Sequence, residues 1–261
     1  MNLSLENKTA IICGSTQGIG LASAIEIAKL GANCVLMARN EQSLQEAIKQ
    51  LDTSLNQQHK YLVADFDEPE TVREAIENYV VNDPVHILIN NSGGPAGGPI
   101  VNAKEEDFIN TFNRHLICNH ILTLAVVPSM KAAGYGRIIN VISTSVKIPL
   151  NNLGVSNTIR GAVASWSKTM ANELGQFNIT VNNVLPGATS TGRLKSIIEN
   201  NANKKSIAID DIEEEMKKEI PMKRFAEPSE IGNIIAFLAS PAASYVNGVN
   251  IPVDGGRTGA M

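Results

Sequence analysis

Residues 13–20 read CGSTQGIG, and they stand between the apolar run Thr9 to Cys13 (TAIIC) and a segment of helical period, GLASAIEIAKLGA. Their pattern is a glycine, three residues, a second glycine, one residue and a third. Gly14 lets the chain turn sharply after a strand, Gly18 lets backbone approach a ligand, and Gly20 lets the new helix pack closely on the strand. The start of that helix offers free N–H groups and the positive end of its dipole, which together hold a pyrophosphate. Set between strand and helix, the turn predicts a bound dinucleotide, with Gly14, Ser15, Thr16, Gln17, Gly18, Ile19 and Gly20 as its cradle.

The rest of the chain repeats the strand-then-helix rhythm that the turn implies. TAIIC, CVLMA, KYLVAD and VHILIN alternate with GLASAIEIAKLGA, EQSLQEAIKQLD and PETVREAIENYV. A helix over 105–133 follows, then the strand RIINVIS, a helix over 153–175, the strand ITVNNVLP, and a last helix and strand in PSEIGNIIAFLAS and GVNIPVDGG. Strands apolar throughout, separated by amphipathic helices, pair in parallel and are covered on both faces. The expected architecture is α/β, a Rossmann-type doubly wound parallel sheet in one domain over residues 1–261. One stretch breaks the rhythm. Residues 192–220, rich in Lys and Glu, follow a strand end, and such an insertion reads either as a solvated helical excursion or as a substrate lid.

Composition narrows the partners. With 22 Lys and Arg against 26 Asp and Glu, the net charge is −4, so no cationic surplus exists to neutralise phosphates along a duplex. A small-molecule ligand is expected, and no nucleic acid. Cys13, Cys34 and Cys118 are odd in number and lack paired ligand spacing, which predicts buried thiols and no metal site. No basic region precedes the first apolar run, and no run reads as long enough to span a bilayer, so a cytoplasmic protein without a membrane partner is expected.

Which dinucleotide binds is read at the end of the second strand, VLMARN. An acidic side chain there would bond a free ribose 2′-hydroxyl, whereas an arginine pairs with a 2′-phosphate. Ala38, Arg39 and Asn40 include no acid. NADP(H) is therefore expected in preference to NAD(H), with Arg39 against the phosphate.

With the glycine turn go Asn90 to Gly93 (NNSG), the strand GRIINVIS, Leu185 to Thr191 (LPGATST) and the ending SYVNGVNIPVDGG. In this combination the chain resembles the short-chain dehydrogenase/reductase family over essentially its whole length, closest in layout to the 3-oxoacyl-carrier-protein reductases. The resemblance implies a seven-stranded sheet, NAD(H) or NADP(H), and a homotetramer or homodimer. It places Asp65 and Phe66 beside the adenine, Asn91, Ser92 and Gly93 along the adenosine ribose side, and Pro186, Gly187, Thr189 and Thr191 around the nicotinamide amide and its approach.

The same resemblance exposes a departure. The family catalyses with an Asn, a Ser, a Tyr and a Lys, the last two spaced Tyr-x-x-x-Lys. Aligned through GRIINVIS, the serine is Ser143, the tyrosine position holds Ser156, the lysine position holds Arg160, and the asparagine position holds His115. Neither Tyr61, Tyr79, Tyr135 nor Tyr245 is followed by a lysine four residues on. A serine hydroxyl has no accessible pKa with which to replace the phenol, and a guanidinium does not release its proton. His115 is the nearby group whose ordinary pKa lies close to neutrality. It reads either as a helix histidine bonded to backbone or as a relay through water.

Two functions follow as expectations. The first is an NADPH-dependent reductase of a carbonyl or conjugated enone, using Ser143, Ser156, Arg160 and His115, with Arg160 also clamping the cofactor ribose. The second is a dinucleotide-loaded scaffold or sensor without turnover. A lyase or isomerase using the same pocket is a third, weaker reading.

Overall fold

Each apolar run becomes a parallel strand because both of its faces are covered. The protein is described by a computed structural model over residues 1–259. In chain order the elements are β1 (Thr9–Cys13), α1 (Gly18–Lys29), β2 (Asn33–Ala38), α2 (Glu41–Ile48), β3 (Lys60–Val63), α3 (Pro69–Val80) and β4 (Ile87–Asn90). There follow α4 (Glu105–Phe112), α5 (Cys118–Ala133), β5 (Gly136–Val141), α6 (Gly154–Leu174) and β6 (Ile179–Pro186). The chain continues through α7 (Gly192–Lys205), α8 (Ile209–Lys218), α9 (Pro228–Ala239) and β7 (Asn250–Val253). The strands form one parallel sheet in the order β3-β2-β1-β4-β5-β6-β7.

Side chains alternate across that sheet, which divides the core in two. Ile12, Leu36, Ile89 and Ile139 join α1 and α9 on one face, while Ile11, Cys13, Val35, Leu88 and Ile138 join α3 and α5 on the other. Gly232 of α9 lets α1 and α9 lie close, since a Cβ there would meet the Ala22 backbone at 3.0 Å. All three cysteines are buried and unpaired, as expected. Burial pushes the Cys118 thiol up to about 12 and those of Cys13 and Cys34 higher still, so none is a ready nucleophile.

The helix over 105–133 differs from its sequence reading in two respects. It is interrupted by a π-helical turn, Asn113–Ile117, between α4 and α5. It is also, by length and composition, apolar enough to cross a membrane, contrary to the expectation that no run would be. Its apolar residues Cys118, Ile121, Leu122, Val126 and Met130 are committed to the sheet and α3. The insertion over 192–220 folds as α7 and α8, a helical pair with a small core of Leu194, Ile198, Ala202 and Ile212 against Phe225.

The strand order places the site. After β3 the chain returns to the sheet centre, and β1 and β4 lead their helices to opposite faces. Ligands of such sheets bind in the crevice beyond the strands' C-terminal ends at this reversal.

Candidate active site

At the reversal lies the glycine turn. Gly14 and Gly18 adopt left-handed backbone, φ +57° and +56°. A Cβ on Gly20 would stand 2.1 Å from the Gly14 carbonyl oxygen, and one on Gly14 would stand 2.7 Å from that of Asn91. Gln17 caps α1 without a side-chain hydrogen bond, so the first-turn N–H groups have no local acceptor. The Ser15 hydroxyl in the same turn is enclosed and unpartnered. Orphan donors in a cradle too narrow for a Cβ fit the diphosphate of a dinucleotide.

Two neighbours complete this wall. The Asn91 amide donates to the carbonyls of Cys13 and Gly14 at 3.2 and 3.3 Å. Its side chain ties the end of β4 to the turn. Thr191 caps α7 and brings its methyl to within 3.2 Å of where a Gly18 Cβ would stand, so α7 begins over the turn.

The adenine end is more exposed. Arg39 follows β2 with its side chain 71 % exposed, 4.0 Å from the Asp65 carboxylate and 3.9 Å from that of Asp67. Thr16 is half-buried in the turn before α1, and Ile19 in the first turn of the helix. The Phe66 ring is buried among Val72, Cys118 and their neighbours. The ring packs in the core. On the nicotinamide side, the Gly187 amide donates to Val253, and a Cβ on Gly187 would stand 2.7 Å from the Asp254 Cα. Pro186 ends β6, and Thr189 is buried with its hydroxyl donating to the Gly187 carbonyl at 3.1 Å. Open space faces Gly93.

Of the four reaction candidates, Ser143 and Arg160 meet the end of β5 and His115 meets the loop after β4, while Ser156 lies one turn before Arg160 on α6. Ser143 caps the short turn Thr144–Val146, its oxygen accepting from the Ser145 amide at 3.1 Å, which leaves its own O–H free to donate. Ser156 and Arg160 stand one turn apart on α6, on a common face. Arg160 is buried, and its Nη1 donates to the Val141 carbonyl at 2.7 Å. No carboxylate pairs with it among the described residues. Burial, followed by the cation of Arg193, pushes its pKa down to about 10, so it remains a cation near neutrality.

His115 sits on the π-helical turn, whose wider winding re-aims a side chain at a point where a regular helix would not. The ring is buried, with Nδ1 2.7 Å from the Ser92 hydroxyl and Nε2 unpartnered. Burial, then the cations of Arg160 and Arg114, hold its pKa well below the usual range. The structure thus corrects the expectation of a group titrating near neutrality: the ring is a neutral hydrogen-bonding group, not a resident acid.

Four asparagines hold the ends of these strands together. Asn90 donates to Asn140 at 2.8 Å, Asn140 to Asn183 at 2.9 Å, and Asn183 to Asn250 at 2.7 Å, in register across β4, β5, β6 and β7. Asn90, Asn140 and Asn183 are buried and Asn250 is exposed at the end of the row, so the chain of amide bonds stiffens the platform under the site from its core outward.

Residues 14–258 match the family described as enoyl-(acyl carrier protein) reductase. The chain belongs to the short-chain dehydrogenase/reductase family. It is 31 % identical over 257 residues to the NADPH-dependent reductase BacG of Bacillus subtilis, covering 97 % of this chain and 98 % of that one. It is 30 % identical to the 3-oxoacyl-[acyl-carrier-protein] reductase FabG of Pseudomonas aeruginosa, with 97 % and 98 % covered. Among solved structures, the L-sorbose reductase of Gluconobacter frateurii complexed with NADPH and L-sorbose superposes with a TM-score of 0.93 at 31 % identity over the whole of both chains. As an oxidoreductase of this short-chain family, the protein keeps the family's sheet and glycine turn.

Reading the sequence did not single out Arg193 or the asparagine ladder. A signal for Arg193 was present: it lies in the first turn of α7, where a cation opposes the helix dipole and needs some other compensation. The ladder had none, because only strand register shows that the four asparagines are neighbours.

Proposed function

We propose that the protein is an NADP(H)-dependent reductase whose substrate is a conjugated enone or a related carbonyl compound. The observation that carries this reading is Arg160, a buried guanidinium with one donor spent on the carbonyl of Val141, two residues before Ser143, and no carboxylate partner among the described residues. Bound NADPH supplies the hydride. Arg39 and the absence of an acid at the end of β2 favour the 2′-phosphate, and the relatives' NADPH dependence supports the same choice.

Hydride delivered to the β-carbon of an enone breaks the carbon–carbon π bond and moves the electron pair into an enolate. Arg160 stabilises that oxyanion, with Ser143 and Ser156 as hydroxyl donors. The α-carbon then takes a proton from water, so no phenol is required. Neutral His115, bonded to Ser92, orients the water and does not yield a proton of its own. Losing a positioned general acid costs ~10²–10⁴ in rate on a ketone; a conjugated acceptor largely escapes that cost because its hydride step leaves a delocalised anion. The α7–α8 pair over 192–220 acts as the cover, and the homodimer or homotetramer is supported by Ile109, Phe112 and Leu124 exposed on α4 and α5.

The test is oxidation of NADPH, followed by absorbance, against cyclic enones and β-ketoacyl thioesters. Turnover of enones, lost in Arg160→Ala with the fold intact by circular dichroism, is the expected result. Tight NADPH binding with no turnover on either class would favour the scaffold.

A further inference from the structure

The end of β2 carries no acid of its own, yet the fold brings two to it. β2 and β3 pair with Ala38 opposite Val63, so the segments that follow the two strands leave the sheet side by side. Arg39 thereby lies 4.0 Å from the Asp65 carboxylate and 3.9 Å from that of Asp67. The Asp67 amide donates to the Asp65 side chain at 3.0 Å, which holds both acids in one turn. Each approach to Arg39 is too long for a hydrogen bond, so neither acid fixes the guanidinium. A phosphate monoester carries a charge of about −1.5 to −2 near neutrality. If Arg39 were the only cation, a 2′-phosphate pairing with it would meet two carboxylates as neighbours, and one positive charge would stand against two negative ones.

Arg114 changes that balance. It precedes His115 on the π-helical turn, and its Nε donates to Asp67 at 2.6 Å while Nη2 pairs with the same oxygen. Its Nη1 reaches the Gly93 carbonyl at 3.4 Å. The Arg114 side chain is 24 % exposed against 71 % for Arg39. The contact to Asp67 is therefore the close and sheltered one, and that of Arg39 is the loose and screened one. Asp67 is neutralised from the helix side, which leaves the Arg39 donors to a ligand.

We infer that Arg114 is a specificity-determining residue for the cofactor: by neutralising Asp67 it allows the corner beside Arg39 to accept the 2′-phosphate that separates NADP(H) from NAD(H). It acts through Asp67 and is a positioning residue, with no contact to the phosphate required. The inference rests on the NADP(H) preference stated under Proposed function and names the charge balance that permits it.

The experiment is fluorescence titration of NADPH and of NADH into the wild type, Arg114→Gln, Arg114→Lys, Asp67→Asn and the double variant Arg114→Gln with Asp67→Asn. One unit charge at about 4 Å in a water-like dielectric changes affinity about fivefold, and a dianion feels it more strongly. Arg114→Gln should raise the Kd of NADPH about five- to tenfold and leave that of NADH within about twofold. Arg114→Lys should keep most of the preference, because the charge matters more than the fork. Asp67→Asn should restore NADPH binding in the Arg114→Gln background, since no acid is left to neutralise, and on its own should tighten NADPH. A wild-type preference for NADPH that survives Arg114→Gln overturns the inference. Equal weakening of both cofactors without rescue by Asp67→Asn also overturns it, and assigns Arg114 to the adenosine common to both or to the Gly93 loop. Should Arg114→Gln fail to fold by circular dichroism, Asp67→Asn alone decides: weaker NADPH binding there would make Asp67 a strut for Arg39 and sink the charge balance, while tighter binding supports it. If the wild type binds NADH as tightly as NADPH, the cofactor preference itself falls and takes the inference with it.

Discussion

The two ends of the cleft are built from different materials. The nucleotide end is backbone: Gly14, Gly18 and Gly20 allow no Cβ, the N-terminus of α1 is uncapped, and Asn91 binds β4 to the turn. The proposed reaction end is side chains on that frame: Ser143, Ser156, Arg160 and His115. Geometry that depends on the absence of atoms tolerates few substitutions, whereas a group defined by its functional head can be exchanged. The cleft therefore keeps a cofactor cradle legible as that of its family beside a proposed chemistry that departs from it.

The comparison breaks most sharply at Arg160. Arg160→Met should lower kcat/KM for an enone by ~10²–10³, as removal of an oxyanion donor does, while stability rises by on the order of 1–3 kcal/mol because an unpaired buried charge is gone. Steady-state kinetics and chemical denaturation check both halves; unchanged activity would show the guanidinium to be a bystander. A gain of function follows in size. The double variant Ser156→Tyr with Arg160→Lys should raise β-ketoacyl thioester reduction by ~10² through restored acid catalysis, measured by NADPH oxidation, and no gain would mean the pocket presents its substrate at another angle.

The nucleotide end sharpens the contrast from the other side. Gly20→Ala forces a methyl against the Gly14 carbonyl, which should cost about 1–3 kcal/mol. At about 2–4 °C per kcal/mol, thermal unfolding should begin several degrees lower, with weakened NADPH binding by fluorescence titration. An Ala variant with wild-type midpoint and affinity would contradict the close-packed cradle.

The smallest effect concerns pH. His115 titrates lower when folded than when unfolded, so the unfolded chain binds the additional proton. Its contribution to stability is complete above the unfolded value of about 6.5 and is lost as pH falls toward the folded one. His86, also lowered by burial and then by Lys8, acts in the same direction. The melting temperature should therefore drop from pH 7 to pH 5, and drop less steeply in His115→Asn. An identical slope in the variant would place His115 outside this linkage.

Local pattern was enough for much of the molecule. Thr9–Cys13, Pro69–Val80 and Ile179–Pro186 form the elements that their apolar spacing predicts, and the glycine turn announces its ligand, because backbone requirements are met by residues adjacent in sequence. That no tyrosine is followed four residues on by a lysine is equally a property of the one-dimensional string. Tertiary structure alone decided that the Phe66 ring belongs to the core, that a π-helical turn carries His115 to Ser92, and that Arg193 comes to the Pro95 carbonyl. Charge state and partnership depend on which distant segments exclude water together and which cations share that space, and no local spacing encodes either.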